Sequence, residues 1–172
     1  MAMLHSEDGS GMESRDAKRK AEKLIVRFEE VRMTDVSLVG GKGANLGELA
    51  HIPGIRVPPG FVVTTNAYRR FLAANPQLKA CIHSHLENLT TGTPDFVAAV
   101  SRAGHRIREQ IQAAESIIPP EIVTELSQAY RRLAAEASQP DLPVAVRSSA
   151  SAEDLPDASF AGQQDTYLNV RG

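Results

Sequence analysis

The sequence predicts an α/β fold, with α+β as the alternative, and three observations carry that expectation. Short β-rich runs and longer stretches of helical apolar periodicity alternate along the chain. Their order is strand, helix, strand, several helices, strand, strand, a mixture that layered α/β and α+β domains are built from. The 172 residues, 42% hydrophobic and 23% charged, suffice for one globular domain with a core.

The elements follow in order. Leu24–Phe28 reads as a strand. Val36–Val39 is a short apolar run that ends in a glycine-rich turn, Gly40-Gly41-Lys42-Gly43. From Ala44 to His51 the pattern is helical, with Leu46, Leu49 and Ala50 on one face and Pro53-Gly54 as terminator. Val57-Pro58-Pro59-Gly60 is a turn, and Phe61–Thr64 reads as a buried strand. Thr65 is expected to cap a helix reaching Leu72, its hydroxyl accepting from a first-turn amide. Further helices fit Gln77–Leu89, Pro94–Ala114 and Pro120–Ala137, two of them opened by a proline whose missing N–H costs nothing in the first turn. Phe96, Val100, Ile107 and Ile111 form one stripe; Ile122, Val123, Leu126, Tyr130 and Leu133 form another. Pro143–Ser149 is a strand running into a polar loop, Ala150–Gln164, and Asp165–Val170 is the final strand. Residues 1–22 read as a polar leader and residues 23–172 as the domain.

A net charge of −2 leaves no electrostatic footprint for nucleic acid or an anionic membrane; the one basic cluster, Lys18-Arg19-Lys20, is diluted by Asp16 and Glu22. No apolar run approaches the roughly 18 residues of a membrane span, and Met1–Lys20 lacks the apolar core of a signal peptide. Cys81 is the single cysteine, which excludes an intramolecular disulfide and fits a reducing compartment; the expected location is the cytoplasm. Its neighbours Leu78, Ile82 and Leu86 point to helix packing rather than nucleophilic chemistry.

Two segments carry the chemistry. In Val39-Gly40-Gly41-Lys42-Gly43-Ala44-Asn45-Leu46-Gly47-Glu48, the glycines allow close backbone approach to an anion and Lys42 adds a full positive charge. The following helix would aim its amide dipoles at the same place, an arrangement suited to a triphosphate. The Walker A spacing is absent, and a plain glycine turn with an exposed lysine explains the residues equally well. In the second segment, Val144–Gln164, Arg147 leaves an apolar strand with a planar fork matched to phosphate oxygens, Ser148, Ser149 and Ser151 supply hydroxyls, and Gly162 permits a tight loop. A solvent-exposed loop with a surface arginine is the plain alternative.

These segments, with Val57–Thr64 between them, resemble the N-terminal nucleotide-binding domain of the phosphoenolpyruvate synthase and pyruvate, phosphate dikinase family, a domain that rifampin phosphotransferase shares. The resemblance runs from about Phe28 to Gly172. It implies an ATP-grasp-like fold with a helical insertion, ATP as ligand and magnesium as its counterion. It places Lys42 and Arg147 at the ATP phosphates, and Gly162 and Thr166 on a mobile loop and the strand after it, lining the nucleotide site. The activity it implies converts ATP, pyruvate and water to phosphoenolpyruvate, AMP and phosphate through a histidine on a swivelling domain.

That carrier histidine, the pyruvate-binding barrel and the second half of the ATP site have no counterpart in the sequence. The expectation is therefore an incomplete lobe, inactive alone, with a separate chain as one source of the remaining domains. A rifampin-type enzyme, or a non-catalytic nucleotide-binding module, remains the alternative. None of the five histidines matches the carrier motif; His83 and His85, two apart on a helix, are a poor metal pair. No catalytic residue and no metal ligand is assigned. Glu153-Asp154 is read as ordering its loop, and Glu48 as part of the helix after the glycines.

Overall fold

The computed structural model describes residues 19–113, 118–150, 154–155, 158–159 and 166–172. Helices and small antiparallel sheets alternate, an α/β arrangement: β1 (Ile25–Arg27), α1 (Val36–Ala50), β2 (Phe61–Val63), α2 (Thr65–Ala74), α3 (Pro76–Glu87), α4 (Phe96–Ala113), α5 (Pro120–Glu136), β3 (Val144–Arg147), β4 (Asp154–Leu155), β5 (Ala158–Ser159) and β6 (Thr166–Val170). The chain forms two compact units, residues 68–123 and the remainder.

The core of the larger unit lies where α1 packs on the β1–β2 pair. Val26, Val31, Leu38, Val39 and Ala44 are buried together, with Val36 and Val62 against them. Two short 3₁₀ turns, Phe28–Glu30 and Met33–Asp35, carry the chain from β1 to α1. Gly47 lets that connection pass close by: a Cβ there would sit 2.7 Å from the backbone oxygen of Val31. Glu48 accepts a hydrogen bond from the Met33 amide (3.1 Å), so it anchors the connection as well as belonging to the helix. Residues 19–22 are helical; Lys20 pairs with Asp35, and the Asn66 amide donates to the Glu22 carbonyl (2.7 Å).

Several local expectations are corrected. The glycine-rich stretch is no open turn. It lies within α1, which runs from Val36 and is broken only at Gly40 (φ 73°, ψ 169°). β2 is only half covered, with Val63 exposed. The cap of α2 is Thr64 and not Thr65: the Thr64 hydroxyl accepts from the Ala67 amide (3.3 Å) and donates to the Lys23 carbonyl (2.7 Å), whereas the Thr65 hydroxyl donates to the Ser37 carbonyl (3.0 Å). The Thr64 amide, one residue beyond β2, donates to the Leu24 carbonyl (2.9 Å), which leaves its hydroxyl at the mouth of the helix as a cap. Pro76 and Pro120 open helices, but Pro94 lies two residues before α4. Helix α5 ends in a Schellman turn: Ser138 takes φ 52°, and the amides of Ser138 and Gln139 donate to the carbonyls of Ala135 and Ala134.

In the smaller unit α3 packs on α4, burying Leu78 and Ala103. Cys81 is half-buried. Leu86 and Val100, expected on apolar faces, are exposed.

Strands β3 and β6 pair antiparallel, with Arg147 opposite Thr166 and Val146 opposite Tyr167; the register then slips before Val144 meets Val170. Asn169, in the left-handed region at φ 58°, supplies the extra residue of that bulge.

Candidate functional site

The two chemistry-bearing segments meet although more than a hundred residues separate them. In an unbroken helix the Gly43 amide would donate to the Val39 carbonyl four residues earlier. The kink at Gly40 lies within that rung, and the Ser149 hydroxyl bonds to both of its ends: it accepts from the Gly43 amide (3.1 Å) and donates to the Val39 carbonyl (2.9 Å). One residue on, the Ala150 carbonyl accepts from the Gly41 amide (3.0 Å). Only glycine fits at position 40. Its φ and ψ fall in a region closed to other residues, and a Cβ would lie 2.7 Å from the carbonyl carbon of Ser149.

This changes what the glycines are for. Gly40, Gly41 and Gly43 are buried, and the amides of Gly41 and Gly43 are engaged by protein acceptors. The expected cradle of open glycine amides is therefore not formed at those two positions; the glycines instead let a second chain segment dock on the helix. The sequence offered Ser149 only as one hydroxyl among three. The signal that could have singled it out is the pairing of a helix-breaking Gly-Gly with a remote Ser-Ser.

Lys42, half-buried, lies between the two engaged amides. Arg147, exposed, ends β3 two residues before Ser149, and Thr166 faces it across the β3–β6 pair. Residues directly opposite in an antiparallel pair project to the same face, so Arg147 and Thr166 share a side of the sheet. Gly162 lies outside the described residues, as do Ser151 and Glu153. Among the described residues no three His, Cys, Asp or Glu side chains converge as a metal site, and no helix is long and apolar enough to cross a membrane.

A separate cleft of about 260 Å³ opens between β1, β2 and α5, lined by Lys23, Ile25, Arg27, Phe61, Arg132 and Leu133 among others. Much of its charge is paired. Arg27 forks onto Glu136 (2.6 and 2.9 Å) and touches Glu29 (3.1 Å), and Lys23 pairs with Glu30. The Arg27 fork holds the Glu136 carboxyl below the usual glutamate range and raises its own affinity for its proton. Partial burial pushes Glu30 upward, but the Arg27 amide and Lys23 outweigh it and leave this carboxyl lowered too. Such a braced wall joins β1 to α5 and is distinct from the segments carrying Lys42 and Arg147.

Comparison with known proteins adds the context. The family profile "Pyruvate phosphate dikinase, AMP/ATP-binding domain" matches residues 36–172. A phosphoenolpyruvate synthase of Neisseria meningitidis is 46% identical over 155 residues, covering 88% of this chain and 19% of that protein. A rifampicin phosphotransferase of Streptomyces sviceus is 45% identical over 151 residues, covering 88% of this chain and 16% of that protein. A probable phosphoenolpyruvate synthase of Methanothermobacter thermautotrophicus is 45% identical over 153 residues, covering 89% and 21%. The chain thus spans about a fifth of the length of the curated relatives it matches.

Proposed function

Because the chain belongs to the pyruvate phosphate dikinase AMP/ATP-binding domain family, we propose that it is the ATP-binding lobe of a phosphoenolpyruvate-synthase-type phosphotransferase. The observation that carries this reading is the joining of the Lys42 segment to the Arg147 segment through Ser149 and Ala150. Two cation-bearing segments, distant in sequence and joined at Ser149 and Ala150, suit a polyphosphate. With the Gly41 and Gly43 amides engaged elsewhere, most of the charge compensation falls to the side chains. Lys42 supplies a point charge and Arg147 a planar fork for two phosphate oxygens. Thr166, on Arg147's side of the sheet, adds a hydroxyl, and Gly162 a close backbone approach in an ATP-grasp-like arrangement. Magnesium would arrive on the nucleotide, since the described residues offer it no carboxylate cluster.

The full reaction, ATP, pyruvate and water giving phosphoenolpyruvate, AMP and phosphate, requires a carrier histidine and a pyruvate site. In this reading further domains supply them, in the same polypeptide or as a partner chain in the cytoplasm. Near-equal identity to a rifampicin phosphotransferase supports a second reading with the same lobe and a different phosphoryl acceptor. The lobe alone is not expected to make phosphoenolpyruvate.

Titration with magnesium-ATP tests the reading. Saturable but weak binding is expected, weaker than micromolar, because this lobe forms one side of the site. Arg147→Ala should remove a charge-assisted contact of about 1.5–3 kcal/mol, about a 10- to 150-fold loss of affinity. Arg147→Lys should restore only part of it. Unchanged affinity in Arg147→Ala and in Lys42→Ala would overturn the assignment.

A further inference from the structure

We propose that Ser149 is a positioning residue: its hydroxyl, bonded to both sides of the kink in α1, sets the spacing between the Lys42-bearing helix and the Arg147-bearing strand. The inference rests on the ATP-lobe reading for its functional meaning, although the clasp itself is a matter of geometry.

A serine hydroxyl can donate once and accept more than once. Here both capacities are used on the two backbone groups that the kink at Gly40 separates: the Gly43 amide at 3.1 Å and the Val39 carbonyl at 2.9 Å. Val39 and Gly43 lie on either side of the break, so the hydroxyl is tied to both halves of the helix at once. A residue hydrogen-bonded to one half only would leave the other free to pivot at Gly40. The Ala150 carbonyl, bonded to the Gly41 amide at 3.0 Å, adds a third attachment within the same turn. Lys42 lies between the two amides so held. Arg147 lies two residues upstream of the clasp on a strand whose only cross-strand partner among the described residues is β6. That strand pair is exposed along most of its length, so packing does little to fix its position.

The arrangement depends on two complementary features. Gly40 must lack a Cβ, because one would overlap the Ser149 backbone. Position 149 must carry a hydroxyl, because an alanine removes both attachments to the two sides of the kink. Misplacement of a charged contact by about 1 Å can cost on the order of 100-fold where reactive geometry is demanding. For ground-state binding alone, a loss of about 10-fold in ATP affinity is expected.

The distance test uses the full chain with Cys81→Ser and spin labels at two exposed positions, Asn45 on α1 and Leu168 on β6, and ATP affinity is read on the unlabelled chain. The parent should give a narrow distance distribution and a Gly43 amide protected from hydrogen exchange. Ser149→Ala should broaden or shift the distribution and expose that amide, while Ser149→Thr, which keeps the hydroxyl, should move back toward the parent. Arg147→Ala should lower ATP affinity with the distribution unchanged; Ser149→Ala should lower it with the distribution broadened. An unchanged distribution in Ser149→Ala, or a Gly43 amide unprotected in the parent, overturns the clasp. A parent that binds no ATP overturns the functional reading while the distance measurement still decides the clasp. If Ser149→Ala broadens the distribution yet keeps full ATP affinity, the hydroxyl is structural and its positioning role is refuted.

Discussion

Two strand pairs in the larger unit differ in a way their lengths do not explain. The β1–β2 pair has three residues on each side, and α1 covers it, leaving Val26 1% and Val31 0% exposed nearby. The β3–β6 pair is longer, yet Val146 is 48%, Tyr167 60% and Leu168 68% exposed. A two-stranded sheet is marginal in water until something packs on it; the cover, not the pairing, separates the two. Lys42 stands on an element held by a core, whereas Arg147 and Thr166 stand on one held by backbone pairing and the Ser149–Ala150 attachment.

Substitutions can break or sharpen that contrast. The largest effect is expected from Leu24→Ala, beside β1, where a fully buried side chain would leave a cavity: about 2–5 kcal/mol lost in denaturant unfolding. A loss under about 1 kcal/mol would mean that the β1 region is less packed than its burial indicates. Gly40→Ala comes next. Forcing a side chain into a glycine-only backbone region costs about 1–3 kcal/mol, with overpacking against Ser149 added. Adding Ser149→Gly should relieve only the overlap with the Ser149 hydroxyl, because the Ser149 carbonyl still meets the added Cβ; a double-mutant cycle reads that partial recovery.

A smaller, pH-dependent effect is expected at the brace between β1 and α5. Glu136 is lowered in the folded chain mainly by its hydrogen bonds to Arg27. A depressed carboxylate adds stability above its unfolded value, about 4.5, and loses it as pH falls through the folded value. Glu136→Gln should therefore melt below the parent at neutral pH, with the gap narrowing as the pH falls below about 4.5; a gap that does not change with pH would point to packing instead of charge. The smallest effect is expected from Leu168→Ser on β6: within about 0.5 kcal/mol, as for an exposed surface position. A larger loss would show that the β3–β6 face is covered in solution.

The sequence made much of this legible. Helical periodicity located α2 to α5 within a few residues, because each is long enough for several turns of pattern. The strands around Ile25, Phe61, Val144 and Thr166 were marked by their β-branched and aromatic runs. What misled was glycine. Gly40, Gly41 and Gly43 read as a turn because their propensity for helix is poor, yet α1 continues through them, since packing against Val62 and docking of Ser149 outweigh propensity. The clasp was invisible for a different reason: hydrogen bonds between residues 106 and 110 apart leave no local pattern. Thr64 was missed as a cap because the neighbouring threonine is chemically identical and only backbone geometry separates them.

The separation of Val39 from Ser149 also sets a timetable. At a synthesis rate of roughly 5–20 residues per second, about 5–20 s pass between the emergence of Val39 and that of its partner 110 residues later. For that interval the β1, β2 and α1 core can form without the Ser149 attachment at the kink of α1, and residues 68–123 can fold as their own unit in the meantime. Because the entropy of closing a loop grows only logarithmically, doubling that intervening stretch would add only about 0.6 kcal/mol to the cost of closure. The chain can therefore vary the length of its intervening helices with little penalty to the closure that joins the Lys42 and Arg147 segments.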